Sequence, residues 1–433
     1  MEHNPNSPSS LALDACAFIV PALAWVQFNL IGTLFLTDLL LVVMVPILLT
    51  LRKRVLSLQV LWIGVSLTLL WLFAQVFTDV VRESSPDDYL RGWTKIVLTI
   101  THFVAIFALV CDSLNRLQLY ALGLTAGSVI TVLFFPNAFT AGDPWKFSLA
   151  MPVTLVVTAA VDRFGTNRPK VGSAVLLTLS VLHFWLGSRS IGALTFLTMA
   201  YSFFVAGGSM SLRGSRAGKT LLVGFGGIAC VALVTIGFEY AALNGFLDDK
   251  AKEKVEMQSG EAGLLLGGRS EVLASGAAIA DSPFIGHGSW ARNIKYALIL
   301  QARRIELGYP AGQGDFESDL IPSHSHILGA WVEAGVLGIG FWLWALWRAG
   351  NGLIGIRTPR SSLQLFTFSS LMLGWDLLFS PYGADRRFTT TFYICVVLAC
   401  DRAAMLNRPS LERRRRSMKR NGRIEYTSNA ALR

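Results

Sequence analysis

Val60-Leu61-Trp62-Ile63-Gly64-Val65-Ser66-Leu67-Thr68-Leu69-Leu70-Trp71-Leu72-Phe73-Ala74-Gln75-Val76-Phe77 sets the architecture, because nothing in this run carries a charge. A helix rises 1.5 Å per residue and the hydrocarbon core of a bilayer is about 30 Å thick, so the run reads as a transmembrane helix. Counting it, within 57–77, comparable stretches lie near 11–28, 31–51, 57–77, 95–111, 117–135, 148–162, 172–188, 191–210, 220–243, 324–347, 361–381 and 388–404. The composition agrees: of 433 residues 53% are hydrophobic and 15% charged, and the mean hydropathy is +0.50. These values exclude a soluble enzyme and a disordered chain. The reading is an all-α polytopic membrane protein with about twelve transmembrane helices.

Charge sets the expected orientation. Lys plus Arg exceeds Asp plus Glu, 38 against 28, but residues 402–433 alone hold ten basic and two acidic side chains. The excess thus describes one tail, and nucleic-acid binding is not expected. Short cytoplasmic loops are enriched in Lys and Arg. One alternate set of loops collects thirteen basic residues, among them Arg52, Lys53, Arg54, Arg116, Arg163 and Arg348; the opposite set has seven, with six acids. The first set is therefore read as cytoplasmic, with both termini inside and the basic tail touching anionic lipid head groups. Cys16, Cys111, Cys230, Cys395 and Cys400 lie in or beside apolar runs, so no disulfide framework is expected. The polar start, Met1–Ser10, lacks the basic region and cleavage site of a signal peptide and is expected to be retained.

On this topology residues 1–243 carry nine spans, 244–323 form one large loop on the outer face, 324–404 carry three more spans, and 405–433 are the basic tail. Long ordered loops are usually functional. Within this one, Arg269 to Ala280 reads as a helix that Ser282-Pro283 stops. Arg269 and Leu273 fall on one helical face, so Leu273 can dock the helix while Arg269 points alongside it. Arg189 lies in a hairpin, Ser188-Arg189-Ser190, short enough to hold it at the membrane boundary. A guanidinium there either reaches for lipid phosphate or grips an anion by a forked pair of hydrogen bonds.

The run Pro322 to Gly338 is the densest signal. Ser323 is placed as a helix N-cap and His324 in the first turn, where the helix dipole disfavours imidazolium and leaves a neutral base. His326 faces about 200° away. Gly329, Gly335 and Gly338 allow close approach of another helix, and Glu333, in an apolar span, requires a partner. Asp315, Glu317 and Asp319 with His324 and His326 form an oxygen- and nitrogen-rich cluster, but without HExxH spacing no metal is expected. Gly214 to Thr220 has three residues between its glycines where a phosphate loop has four, and is discounted. His102 and His183 are read as satisfied core histidines.

His324 to Gly338 fits the pattern His-[Asn/Ser/Gln]-x9-Gly-x-x-[Gly/Thr/Tyr], and Arg269 to Leu273 fits Arg-x3-Leu. Together they resemble the bacterial O-antigen ligase family and its relatives, the O-antigen polymerases. Gly267-Gly268-Arg269-Ser270-Glu271 and Asp281-Ser282-Pro283-Phe284-Ile285-Gly286-His287-Gly288 are similar to that superfamily too, as is Arg189 before a span on the same face. The resemblance is specific over about 265–345 and topological elsewhere.

It implies a type C glycosyltransferase-like fold in the bacterial inner membrane and an inverting enzyme, independent of metal or other cofactor, working on the periplasmic face. The donor would be a glycan on undecaprenyl diphosphate, and the acceptor lipid A-core or a carrier-linked glycan. His324 would be the base, and Arg189 and Arg269 would hold the diphosphate. Arg292, Arg303, Arg304, Arg386 and Arg387 are further outer-face cations that can assist, and His326 is a second candidate helper. Polymerases tend to have two sizeable basic periplasmic loops. In this chain one loop is large and slightly acidic, with eleven acids against eight basic residues, which favours the ligase. A lipid-linked glycan transporter would show internal repeats and charges along a midplane path. Charges within the spans read as few, mainly Glu333, Asp376 and Glu239. A scaffold subunit would make His324, Arg189 and Arg269 dispensable.

Overall fold

A computed structural model describes residues 8–30, 32–165, 168–206, 236–237, 239–246, 252, 255, 270–308, 319–355 and 360–403. Helix predominates. In chain order the described elements are α1 (Pro8–Ala22), a hairpin of β1 (Gln27–Leu30) and β2 (Gly32–Phe35), α2 (Leu36–Leu51), α3 (Lys53–Leu56), α4 (Gln59–Arg82), α5 (Pro86–Val110), α6 (Leu114–Phe134), α7 (Ala138–Gly142), a π turn (Trp145–Leu149) running into α8 (Ala150–Phe164), α9 (Pro169–Trp185) and α10 (Arg189–Ala206). Beyond them come α11 (Glu271–Asp281), α12 (Ile294–Glu306), α13 (His326–Ala334), α14 (Gly340–Gly355), α15 (Leu363–Phe379) and α16 (387–403).

Among the described residues four helices are long and apolar enough to cross a membrane: Gln59–Arg82, Pro86–Val110, Leu114–Phe134 and Trp145–Phe164. Shorter apolar helices include Ser10–Ala22, Leu36–Leu51, Arg189–Val205 and Leu363–Phe379. The polarity of α4 shows what solvent surrounds it. Its inward face holds Thr68, Gln75, Thr78 and Asp79, all buried, whereas its outward face shows Trp62, Leu69, Phe73, Phe77 and Val80. Water would reverse that arrangement; a hydrocarbon surround accounts for it. Helices meet closely where side chains are small: a Cβ on Gly123 of α6 would lie 2.2 Å from the Phe18 carbonyl oxygen of α1.

Three expected boundaries move. The span expected at 11–28 ends at Ala22, and the antiparallel hairpin pairs Gln27 with Phe35 through to Leu30 with Gly32. Asn29, Gly32 and Thr33 are poor helix formers, and Gly32 takes φ +83°. The polar stretch between the third and fourth expected spans is helical apart from Glu83–Ser85: α4 runs on to Arg82, and α5 begins at Pro86, where the Ser85 hydroxyl accepts from Asp88 N. The span expected at 324–347 is broken. α13 ends at Gly335, whose φ of 70° and ψ of −169° suit glycine, and a short 3-10 turn (Val336–Ile339) leads into α14.

The bundle has two distinguishable ends. At one, Arg52 pairs with Asp112, Arg116 lies 3.3 Å from Asp14, and Arg348 lies 2.7 Å from Asp401. His324, α11 and α12 lie at the other, the histidine end. The tail 405–433, most of the expected span 220–243, Cys230 and Gly214–Thr220 lie outside the described residues.

Candidate functional site

The backbone from Ser282 to Arg292 builds the site's frame. It is wedged between the α4–α5 turn and the C-terminal end of α13, which leaves carbonyls in need of donors. His287 N and Gly288 N donate to the Val332 and Glu333 carbonyls at 2.7 and 3.0 Å, while Val336 N and Trp331 Nε1 donate to the Pro283 carbonyl at 3.0 and 2.8 Å. Gly286 and Gly335 allow this contact: a Cβ on Gly335 would lie 2.0 Å from the Phe284 oxygen, and one on Gly286 would lie 2.6 Å from Gly335 N. The expected close approach at Gly335 is therefore made by a loop backbone.

Asp79 clamps the same loop from α4. Its carboxylate accepts from Ser289 N at 2.6 Å, Ser289 Oγ at 2.7 Å, Ser84 Oγ at 2.8 Å and Trp93 Nε1 at 2.8 Å. Arg82 donates to the Gly286 carbonyl and to Ser282 Oγ at 2.9 and 2.7 Å. Thus four elements distant in sequence converge, and the loop cannot move without breaking buried hydrogen bonds.

α11 and α12 form a small layer over this frame. Ser275 Oγ of α11 donates to the Pro322 carbonyl at 2.9 Å, which fixes the chain just before His324. At the other end of α11, Lys295 Nζ and Tyr296 Oη donate to Asp281 at 2.6 and 2.8 Å. These bonds hold the Asp281 carboxyl below its usual range, and burial together with that carboxylate pushes the Tyr296 phenol up to about 12. An open groove of about 460 Å³ between the two helices is lined by Leu273, Ala277, Ile299, Ala302, Arg303 and Glu306.

His324 stands outside the helix, correcting the placement read from the sequence. Ser325, not Ser323, is the N-cap: its hydroxyl accepts from Leu328 N and donates to the Leu377 carbonyl. A helix starting at His326 places that residue in the core, and His324 is left before the N-cap, outside the first turn, so the dipole argument loses its geometry. The His324 side chain is 43% exposed, and its Nδ1 lies 3.4 Å from Glu271 Oε1 in the first turn of α11. An exposed imidazole with a carboxylate beside Nδ1 leaves Nε2 available to take a proton.

His326 is buried. Its Nδ1 meets the Ser380 carbonyl at 2.7 Å and its Nε2 the Thr390 hydroxyl at 3.3 Å, inside a box of Trp342 and Tyr382. Arg189 opens α10 after the Gly187 turn and is half-buried. Tyr201, twelve residues on, donates to the Leu353 carbonyl at the far end of α14, so Arg189 lies at the histidine end. Arg269 lies outside the described residues, as do Asp315 and Glu317. Asp319 is engaged by Arg292 at 2.8 Å, Arg303 pairs with Glu306, and Arg304 lies on α12. Arg386 meets Asp376 at 2.5 Å, and Arg387 meets Asp38 at 2.7 Å.

Glu333 has its partner, Lys95 of α5, at 2.6 Å. His183 is satisfied by Trp145 Nε1 and Thr154 Oγ1, and His102 faces Asp38 at 2.9 Å. Sequence reading undercounted charge within the bundle. It missed Asp38, Asp79 and Asp162, the last of which caps α15 by accepting from Gln364 N and Leu365 N. Asp38 was legible as an acid three residues beyond Phe35, where it takes the Phe35 N–H at 2.7 Å in a capping geometry. Lys95 and Asp79 carried no local signal. Among the described residues no group of three or more His, Cys, Asp or Glu is placed to hold a metal ion. No protein-family model, no curated protein and no solved structure matches this chain.

Proposed function

We propose that the chain is a glycosyltransferase of the O-antigen ligase type, embedded in the bacterial inner membrane through twelve spans with its histidine end toward the periplasm. It moves a glycan from undecaprenyl diphosphate to a hydroxyl of an acceptor sugar, with lipid A-core as the acceptor. The observation that carries the reading is the His324–Glu271 pair: an accessible imidazole oriented by a carboxylate, in the segment that resembles the ligases, at the end of the bundle that also bears Arg189.

The chemistry rests on those groups. His324 removes the proton of the acceptor hydroxyl as its oxygen attacks the anomeric carbon. The bond from that carbon to the phosphate oxygen breaks with inversion, and undecaprenyl diphosphate leaves. Arg189 and Arg269 neutralise the charge that grows on the departing phosphates. A polymerase would run the same donor chemistry onto a carrier-linked acceptor.

The test is the size distribution of carrier-linked and lipid A-linked glycan in the native host, for wild type and His324→Ala at equal protein level. Long polymer stranded on undecaprenyl diphosphate supports the ligase. Single repeats capped onto lipid A or left on carrier identify a polymerase. A profile identical to wild type overturns the transferase reading in favour of a transporter or scaffold.

A further inference from the structure

α5 carries a basic stripe turned into the bundle. Arg91, Lys95 and His102 are separated by four and seven residues, which at 100° per residue leaves them within about 40° of one another on the helix. The two inner members each meet an acid from another element: Lys95 meets Glu333 at 2.6 Å and His102 meets Asp38 at 2.9 Å. Arg91, at the mouth of the stripe, is different. It is half-buried, its stem lies beneath the hairpin turn at Gly32, and its Nε is shielded from solvent with no hydrogen-bond partner. Among the described residues no carboxylate pairs with it. Arg82, Arg292, Arg386 and Arg387, at the same end, are each held by oxygens of the protein.

A guanidinium partly withdrawn from water, one turn from Lys95 and with no carboxylate in contact, is unfavourable by itself, and Asp87 and Asp88 one turn before it on α5 offset this only at a distance. An anion at the mouth would reverse that balance, and a planar fork of N–H donors matches phosphate oxygens. The same mouth has an aromatic wall. Ser289 packs on Gly92, next to Arg91, and carries Trp290 in the left-handed region at φ +51°, with its ring 6.0 Å from Lys95 Nζ and 37% exposed. A tryptophan held in that conformation is strained, and such strain collects at binding sites.

We infer that Arg91 binds a phosphate of a lipid head group entering at the histidine end. On the reading proposed above, and resting on it for this identity alone, the lipid is the diphosphate-bearing carrier. Arg91 then holds the donor from α5, in addition to the α10 arginine.

The test uses the full-length protein in detergent and native mass spectrometry, titrating undecaprenyl diphosphate, phosphatidylglycerol and inorganic pyrophosphate against wild type, Arg91→Gln and Arg91→Lys. Arg91→Gln is expected to weaken undecaprenyl diphosphate at least tenfold, with partial recovery in Arg91→Lys, while the thermal midpoint stays level or rises because an unpaired charge has been removed. Unchanged affinity in Arg91→Gln overturns the inference, as does a falling midpoint that accompanies the lost affinity and marks a structural role. Inorganic pyrophosphate binding as tightly as the lipid overturns the lipid assignment. If wild type takes phosphatidylglycerol as tightly as the carrier and Arg91→Gln loses both, Arg91 stands as a phosphate-binding residue and the glycan-transfer reading falls.

Discussion

Among single residues, the contact that organises the site is the one Glu271 makes with His324 Nδ1. In the proposed reaction the carboxylate touches neither glycan, so it acts through the ring it orients. Glu271→Gln is therefore expected to lower kcat by roughly tenfold and leave KM for the donor unchanged, whereas His324→Ala loses about 10²–10⁴-fold. Purified protein with a lipid-linked donor separates the two constants, and a change confined to KM would assign Glu271 to binding. A second expectation for a single residue concerns Gly335. Its positive φ and the 2.0 Å approach of the Phe284 oxygen leave no room for a methyl group, whereas a Cβ on Gly329 would meet only the Ser323 side chain, its hydroxyl at 3.1 Å. Gly335→Ala should lose about 1–3 kcal/mol or fail to fold, and Gly329→Ala should stay close to wild type. Thermal midpoints of the two variants in one detergent compare them directly, and equal midpoints would refute the strain argument.

Between elements, the Lys95–Glu333 pair ties α5 to α13, with side chains only 12% and 17% exposed. Removing one member strands the other in a poorly solvated place, so Lys95→Met alone should cost about 3 kcal/mol or more, while Lys95→Met with Glu333→Leu should recover most of it. A double variant no better than the sum of its parts would show that the charges do not couple. The α11–α12 layer is pH-sensitive in a defined direction. Asp281 titrates below its unfolded value, so its contribution is present above about pH 4 and is lost as pH falls through the folded value; Tyr296, raised to about 12, contributes below about pH 10 and is lost as pH rises through 12. Hydrogen exchange along Ile294–Glu306, corrected for the intrinsic rate at each pH, should be slow between those limits and rise below about pH 4, and a flat profile would discount the tether. The sequence made α11 legible because Ser282-Pro283 ends it, and it pointed to a partner for Glu333 through the cost of a lone charge in an apolar run. It could not name Lys95, because pairs 238 residues apart leave no local trace.

For the whole molecule, the apolar runs were legible because hydrocarbon thickness alone demands them. The hairpin at Gln27–Phe35 and the break at Gly335 were not, because a glycine that bends a chain and one that lets helices approach look alike in sequence. His324 was singled out by its motif, whereas its release from α13 depends on Ser325 capping, which only the packing of Ser325 against Leu377 reveals. The excess of basic residues in one set of loops predicts an orientation of the bundle in the membrane, and that orientation can be measured. Phe284, 76% exposed in the loop at the histidine end, and Phe164, 77% exposed at the end of α8, lie at opposite ends, since Asp162 caps the start of α15 while the finish of α15 meets Ser325. In intact cells a membrane-impermeant maleimide is expected to label Phe284→Cys, and to reach Phe164→Cys only after permeabilisation. The four described native cysteines are buried or half-buried, which keeps their background low. Labelling in the reverse order would put His324 in the cytoplasm, away from periplasmic acceptors, and would end the ligase assignment even if the histidine proved essential.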